Sequence, residues 1–192
     1  MFKNIKHMIN YKLRRLLKPG MIYGIKHKGT FLKDSRISNT TVIEHPENLT
    51  LCDNVFIGHY NFIEASNNIE IGEGCQITNF ISILSHSSHI SIRLYGAQYR
   101  AHKEHKGYIK GPVNIGAYTF IGPHSLIMPG SNLGKGCLVQ AYSHVKGDFP
   151  DFSIIGGNPA QKIGDTREMD ERFLEENPEL KSNYTKWARE KE

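Results

Sequence analysis

The stretch "VNIGAYTFIGPHSLIMPGSNLGKGCLVQAYSHV", residues 113–145, places Ile115, Ile121, Ile127, Leu133, Val139 and Val145 at a constant step of six. That step fits neither an amphipathic helix, around which these positions would scatter, nor the two-residue alternation of a long strand. It fits very short strands joined by turns, with every sixth side chain returning to point inward. The residue two before each aliphatic should then also face in, where the turn leaves room only for something small. Thr119, Ser125, Ser131, Cys137 and Ser143 stand there, as do Thr41, Val55 and Cys75 earlier. Glycine often follows the aliphatic, at Gly58, Gly72, Gly116, Gly122 and Gly134, as a corner with unusual backbone angles would favour.

Outward from this stretch the same step recurs in three earlier triplets, Phe31–Ile37–Ile43, Leu51–Ile57–Ile63 and Ile71–Ile77–Ile83, separated by steps of eight. Each triplet reads as one circuit of about eighteen residues, with two extra residues absorbed at a corner. The inward positions of Cys75 and Cys137 suit small core packing rather than nucleophilic catalysis.

The aliphatic–Gly pattern, the small residue two before each aliphatic and the ending "GNPAQKI" (Gly157 to Ile163) resemble the hexapeptide-repeat acyltransferases. The resemblance covers roughly residues 31 to 163. It implies a mainly β fold, a left-handed parallel β-helix of triangular cross-section, which is an exception to the usual right-handed crossover. It further implies a homotrimer with active sites between neighbouring prisms and acetyl-CoA, or another acyl-CoA, as donor. On this reading residues 1–30 form an N-terminal helical cap, 31–163 the β-helix with an excursion at 84–112, and 164–192 a C-terminal helical tail.

The excursion interrupts the hexads between Ile83 and Ile115 and is rich in histidine, arginine and tyrosine. Loops of this length in a compact domain are commonly functional. In the maltose and galactoside acetyltransferase branch, which also takes in the xenobiotic and polysaccharide O-acetyltransferases, a histidine acts as general base where such a loop leaves the prism. An arginine commonly follows it by seven residues. His86 and Arg93 reproduce that spacing, and His89 is the second candidate base. An imidazole near pKa 6.5 can accept the proton of a sugar hydroxyl attacking a thioester. Arg93, Tyr95 and Asn79 are the expected acceptor contacts. No Asp/Glu partner or HExxH spacing accompanies His86, His89, His102 and His105, so no metal is expected.

For the donor, the resemblance implies a pantetheine groove at Gly122, Ala141 and Ser143, with Phe120 beside it. Asn158, Pro159 and Ala160 form the closing motif, and Lys162 is a candidate phosphate contact. His124 and His144 fall on outward positions. The implied activity is O-acetylation of a sugar in a bacterial surface-polysaccharide or glycan pathway. N-acetylation of an amino sugar, xenobiotic acetylation and a non-catalytic β-helix binding module are the alternatives.

The remaining features bound this reading. The formal net charge is +5 with both signs interspersed, which gives no reason to expect a nucleic-acid partner. Three cysteines without CxxC spacing fit a reducing cytoplasm. No apolar run nears the roughly 20 residues needed to span a bilayer. Phe2, Ile5, Ile9, Leu13 and Leu16 fall at helical spacing beside a crowd of lysines and arginines. This segment can cap the prism or lie on the anionic inner face of a membrane. Downstream, Asp165 and Glu168 suit a helix start, and Leu180, Tyr184 and Trp187 make an apolar stripe suited to packing on the prism or on a neighbouring subunit.

Overall fold

The computed structural model describes residues 18–189. Its repeating unit is a coil of three short strands. Leu49–Leu51, Phe56–Ile57 and Phe62–Glu64 lie on three successive faces, and the chain then climbs to Ile69–Ile71, Gln76–Ile77 and Ser82–Leu84 in parallel register on them. Aliphatics stack in columns inside: Leu51, Ile71, Ile115 and Leu133 on one face, ending in Phe149. The second column is Ile37, Ile57, Ile77, Ile121, Val139 and Ile155. The third is Ile43, Ile63, Ile83, Ile127 and Val145. The architecture is the expected left-handed parallel β-helix. Coils before the excursion repeat every 20 residues and those after it every 18, shortening to 16 where Leu133 meets Phe149 and Val139 meets Ile155. The extra pair widens one corner, where Ala65 is fully buried and Asn68 turns the chain with φ 69°.

The inward small residues solve a polar problem. Each corner leaves a carbonyl inside the prism, and an unpaired buried carbonyl is costly. The Thr119 hydroxyl donates to the Gly134 carbonyl at 3.0 Å and the Ser125 hydroxyl to that of Gln140 at 3.0 Å. The Cys75 thiol donates to the Gly116 carbonyl at 3.1 Å. Burial pushes Cys75 up to about 12 and Cys137 up to about 11, so both stay protonated thiols.

Three expectations need correction. The glycine after each aliphatic does not have a positive φ; it is small because the next coil passes too close. A Cβ on Gly72 would lie 2.6 Å from the Ala117 amide nitrogen, and one on Gly122 would lie 2.6 Å from that of Ala141. The left-handed residue comes two positions later, and several corners fill it with an aromatic ring: Tyr60, Phe80, Tyr118, His124, Tyr142 and Phe152 have φ between 57° and 61°. Such bulky residues rarely adopt this conformation.

Phe31 is not an inward rung. Thr30–Ser38 pairs antiparallel with Met21–His27 through a two-residue turn at Lys28 (φ 45°) and Gly29 (φ 87°), the positive-φ pair that suits a tight hairpin. Along this longer strand Leu32, Ser35 and Ser38 are the buried positions, and Phe31 is 64% exposed, its ring lying against Gly24. Within the expected helical cap of 1–30, residues 21–27 are therefore strand, while the amphipathic run Phe2–Leu16 lies outside the described residues.

At the other end Ser153–Gly157 and Ala160–Asp165 form a closing hairpin. Asp165 caps helix Thr166–Glu176: its carboxylate accepts the Arg167 amide at 3.0 Å and the Arg167 guanidinium at 2.7 Å, and Arg167 holds the carboxyl at about 2. In helix Lys181–Ala188, Trp187 stacks on Tyr118 with ring centroids 4.6 Å apart. The Lys135 ammonium donates to the carbonyls of Trp187, Ala188 and Arg189 at 3.4, 3.2 and 2.7 Å, fastening the tail to the prism.

Chemical denaturation should separate the two kinds of rung. Ile77→Ala should cost about 2–5 kcal/mol, and Phe31→Ala less than about 1 kcal/mol. Equal losses would contradict the placing of Phe31 on the exposed side of the hairpin. Asp165→Ala should cost about 0.5–2 kcal/mol near neutrality. A depressed carboxyl stabilises above its unfolded value and loses that contribution as pH falls through its folded value, so the difference should vanish toward pH about 2.

Candidate functional site

The widened corner sets one coil directly beneath the start of the excursion. Phe62–Glu64 pairs with Ser82–Leu84, placing Glu64 under Leu84 and Ser66 under His86. His86–Ser87 then pairs antiparallel with Ile109–Lys110, so the excursion leaves and returns as a two-stranded ribbon whose first residue is His86. The imidazole therefore sits on a rigid root rather than on a loop tip.

Glu64, 3% exposed, reaches up to His86, its Oε2 lying 2.6 Å from Nδ1. The same carboxylate accepts the Ser66 amide at 2.9 Å and the Ser85 hydroxyl at 2.9 Å. Burial alone would raise the Glu64 carboxyl, but hydrogen bonds from Ser66 and Ser85 and the charge of His86 outweigh it and hold it below the ordinary range. An ionised carboxylate can only accept, so Nδ1 carries the proton facing it, and in the neutral ring the lone pair is then the one on Nε2. The Ser66 hydroxyl lies 3.1 Å from the same Nδ1, and Tyr108 stacks over the ring at 5.2 Å.

Ser66 and Tyr108 also border a cleft of about 720 Å³, lined further by Asn67, Tyr99, Lys103, His105 and Lys110. The excursion holds its shape through its own rings. Tyr99 stacks on His105 at 3.9 Å, Tyr95 meets His105 edge-on at 5.0 Å and His102 at 4.9 Å, and His105 Nε2 lies 2.7 Å from the Tyr99 carbonyl. His102 and His105 are thus packing residues. Among the described residues no group of three or more His, Cys, Asp or Glu side chains is arranged to hold a metal.

The other expected acceptor contacts fall elsewhere. His89 Nδ1 lies 2.8 Å from the Ser87 hydroxyl, and among the described residues no carboxylate pairs with it. Arg93 turns back along its own short helix to donate to the His89 carbonyl. Tyr95 accepts the Lys106 amide at 2.9 Å, as part of the loop's internal packing. Asn79 accepts the His59 amide at 2.7 Å at the opposite end of strand Ser82–Leu84 from His86. Glu64 and Ser66 were missed because they are remote in sequence. The available signal was the coil step: 20 residues back from His86 stands Ser66, two residues after Glu64.

On the donor side, Ser143 and Asn158 line a second cleft of about 460 Å³ with His124, Leu126, Tyr142 and His144. Gly122 and Ala141 belong to the same corner, where the Gly122 amide donates to the Val139 carbonyl at 2.8 Å. The Ser143 hydroxyl is turned inward onto the Gln140 carbonyl at 2.7 Å. Pro159 follows Asn158 through a cis peptide bond, and Ala160 is buried behind it. Phe120, 41% exposed, and the exposed Lys162 lie on the strands of the neighbouring face rather than in this cleft. No described helix is long and apolar enough to cross a membrane.

No family model matches the chain. Among curated proteins it is 29% identical over 123 residues to "Probable acetyltransferase Rv3034c" of Mycobacterium tuberculosis, covering 64% of this chain and 39% of that protein. It is 42% identical over 66 residues to "Putative acetyltransferase YvoF" of Bacillus subtilis, covering 34% of this chain and 38% of that protein. The chain thus spans well under half the length of these relatives. Among solved structures, AntD, an N-acyltransferase from Bacillus cereus in complex with dTDP and 3-hydroxybutyryl-CoA, superposes with a TM-score of 0.55 at 23% identity, over 78% of this chain and 88% of that one. That likeness is one of fold. Its six-residue repeat, its coils and its acetyltransferase-named relatives support the resemblance to the hexapeptide-repeat acyltransferases.

Proposed function

We propose that the protein is an acyl-CoA-dependent O-acetyltransferase of a sugar hydroxyl, with His86 as general base. The observation that carries this reading is the 2.6 Å Glu64–His86 pair at the root of the excursion. A free amine is already nucleophilic, whereas a hydroxyl must shed its proton as it attacks. A histidine whose Nδ1 is held by a buried carboxylate offers Nε2 for that proton and can stabilise the imidazolium that results.

In this mechanism the donor supplies the thioester carbonyl. His86 Nε2 takes the hydroxyl proton while the acceptor oxygen closes on that carbonyl, and the same nitrogen returns the proton to the departing sulfur. Glu64 holds the imidazole's tautomer and angle throughout, and Tyr108 restricts it to one plane. Tyr99 and Tyr108 supply apolar faces for a sugar's C–H surface, while Asn67, Lys103 and Lys110 supply polar contacts, a mixture suited to carbohydrate. The cleft bordered by Ser143 and Asn158 would receive the donor, beside the corner where Gly122 packs against Ala141. The acetyltransferase names of the relatives support the group transferred. A homotrimer, an acceptor in a surface polysaccharide or glycan, and work in the cytoplasm at the inner face of a membrane complete the proposal on the strength of the family resemblance.

The test is thiol release from acetyl-CoA with nucleotide-linked, free and lipid-linked sugars as acceptors. His86→Ala should lower turnover by about 100-fold to 10,000-fold with acetyl-CoA binding retained. His89→Ala should keep most activity. A His86→Ala enzyme as fast as wild type would overturn the assignment and favour an amine acceptor. Glu64→Gln should lower turnover by less than His86→Ala. The ¹⁵N shifts of His86 should change from a single Nδ1-protonated tautomer to a mixture; an unchanged tautomer would remove Glu64 from the mechanism.

A further inference from the structure

Two edges of the prism carry left-handed aromatic residues, and they are finished differently. On one edge Tyr118 and Phe152 are separated by Gly136, and Trp187 from the C-terminal helix occupies the vacant rung. Its ring lies 4.6 Å from that of Tyr118 and 5.8 Å from that of Phe152, and a Cβ on Gly136 would come within 3.1 Å of it. A gap in a ring ladder of this protein is thus filled by a ring brought from elsewhere.

On the other edge Tyr60, Phe80, His124 and Tyr142 stack without a gap, at centroid spacings of 5.2, 4.9 and 4.9 Å and interplanar angles of 14°, 3° and 7°. One coil on, no further ring follows, because the chain reverses after Ile155 into the closing hairpin, whose two-residue turn holds Asn158. Tyr142 is therefore the last ring of the ladder, 71% exposed, and it borders the cleft of about 460 Å³ shared with Ser143, His144 and Asn158. A planar heterocycle placed there would continue the stack. The Asn158 amide at the rim is the side chain that pairs with both the N6 donor and the N7 acceptor of adenine.

We infer that Tyr142 is the stacking platform for the adenine ring of the acyl-CoA donor, with Asn158 reading its edge. This rests on the proposed donor cleft and adds the residue that recognises the nucleotide end of the donor. Binding is then divided. The ladder anchors the adenine, and the pantetheine arm is free to carry the thioester toward His86.

The test compares equilibrium binding of acetyl-CoA with that of acetyl-phosphopantetheine, which lacks the nucleotide. Tyr142→Asn removes the ring while keeping a residue that tolerates a left-handed corner, so the coil is preserved. It should weaken acetyl-CoA binding about tenfold to a hundredfold and leave acetyl-phosphopantetheine binding unchanged. Tyr142→Phe should bind both donors as wild type does. Equal loss of both donors, or loss of neither, would overturn the inference while leaving the acyltransferase reading in place. A change in sedimentation of Tyr142→Asn with unchanged acetyl-CoA binding would likewise overturn it and give the ladder to contact between copies of the chain. Wild type that binds no acetyl-CoA would overturn both.

Discussion

Everything in this molecule follows from the close stacking of one coil on the next. Each inward aliphatic must rest on its counterpart in the coil beneath, as Ile57 rests under Ile77 and Ile77 under Ile121. At that separation the corners nearly touch, which is why Gly72 and Gly122 have no room for a side chain. The backbone must then turn sharply enough to begin the next face, which places a left-handed residue two positions later. The third requirement, a small group inside the corner, is met by hydroxyls and thiols that also pair the buried carbonyls.

The fold was therefore largely legible: the six-residue step, the small residues two before each aliphatic and the GNPA closure each answer one of these requirements. Three details were not. Glycine reports a close approach as readily as a positive φ, and only the geometry of the next coil separates the two at Gly72. The aromatic corner residues, such as Phe80 and Tyr142, defy the preference for glycine or asparagine in a left-handed turn, so no propensity argument points to them. Phe31 carries the right spacing for a rung but belongs to an antiparallel hairpin strand, where Leu32 and not Phe31 is buried.

The site was half legible, for a related reason. His86 announces itself by breaking the repeat. Its partner Glu64 does not, because the contact is vertical, between coils, and its sequence separation reflects the length of a circuit rather than any local motif. The residues nearest His86 in sequence were correspondingly poor guides. Arg93, Tyr95 and His89 are occupied in holding the excursion together, whereas the wall beside the imidazole comes from Ser66 below and Tyr108 on the returning strand. In a solenoid of this kind, stepping by whole coils finds functional neighbours that stepping along the chain does not.

The proposed chemistry requires that the donor's thioester and Nε2 of His86 meet. A crystal structure of the protein with CoA, in its native assembly, tests it most directly. The CoA sulfur should lie within about 3–4 Å of a His86 Nε2, directly or through one water, with Nδ1 still held by Glu64. A CoA sulfur seated away from every His86, or an imidazole released from Glu64 and turned from the donor, would contradict it.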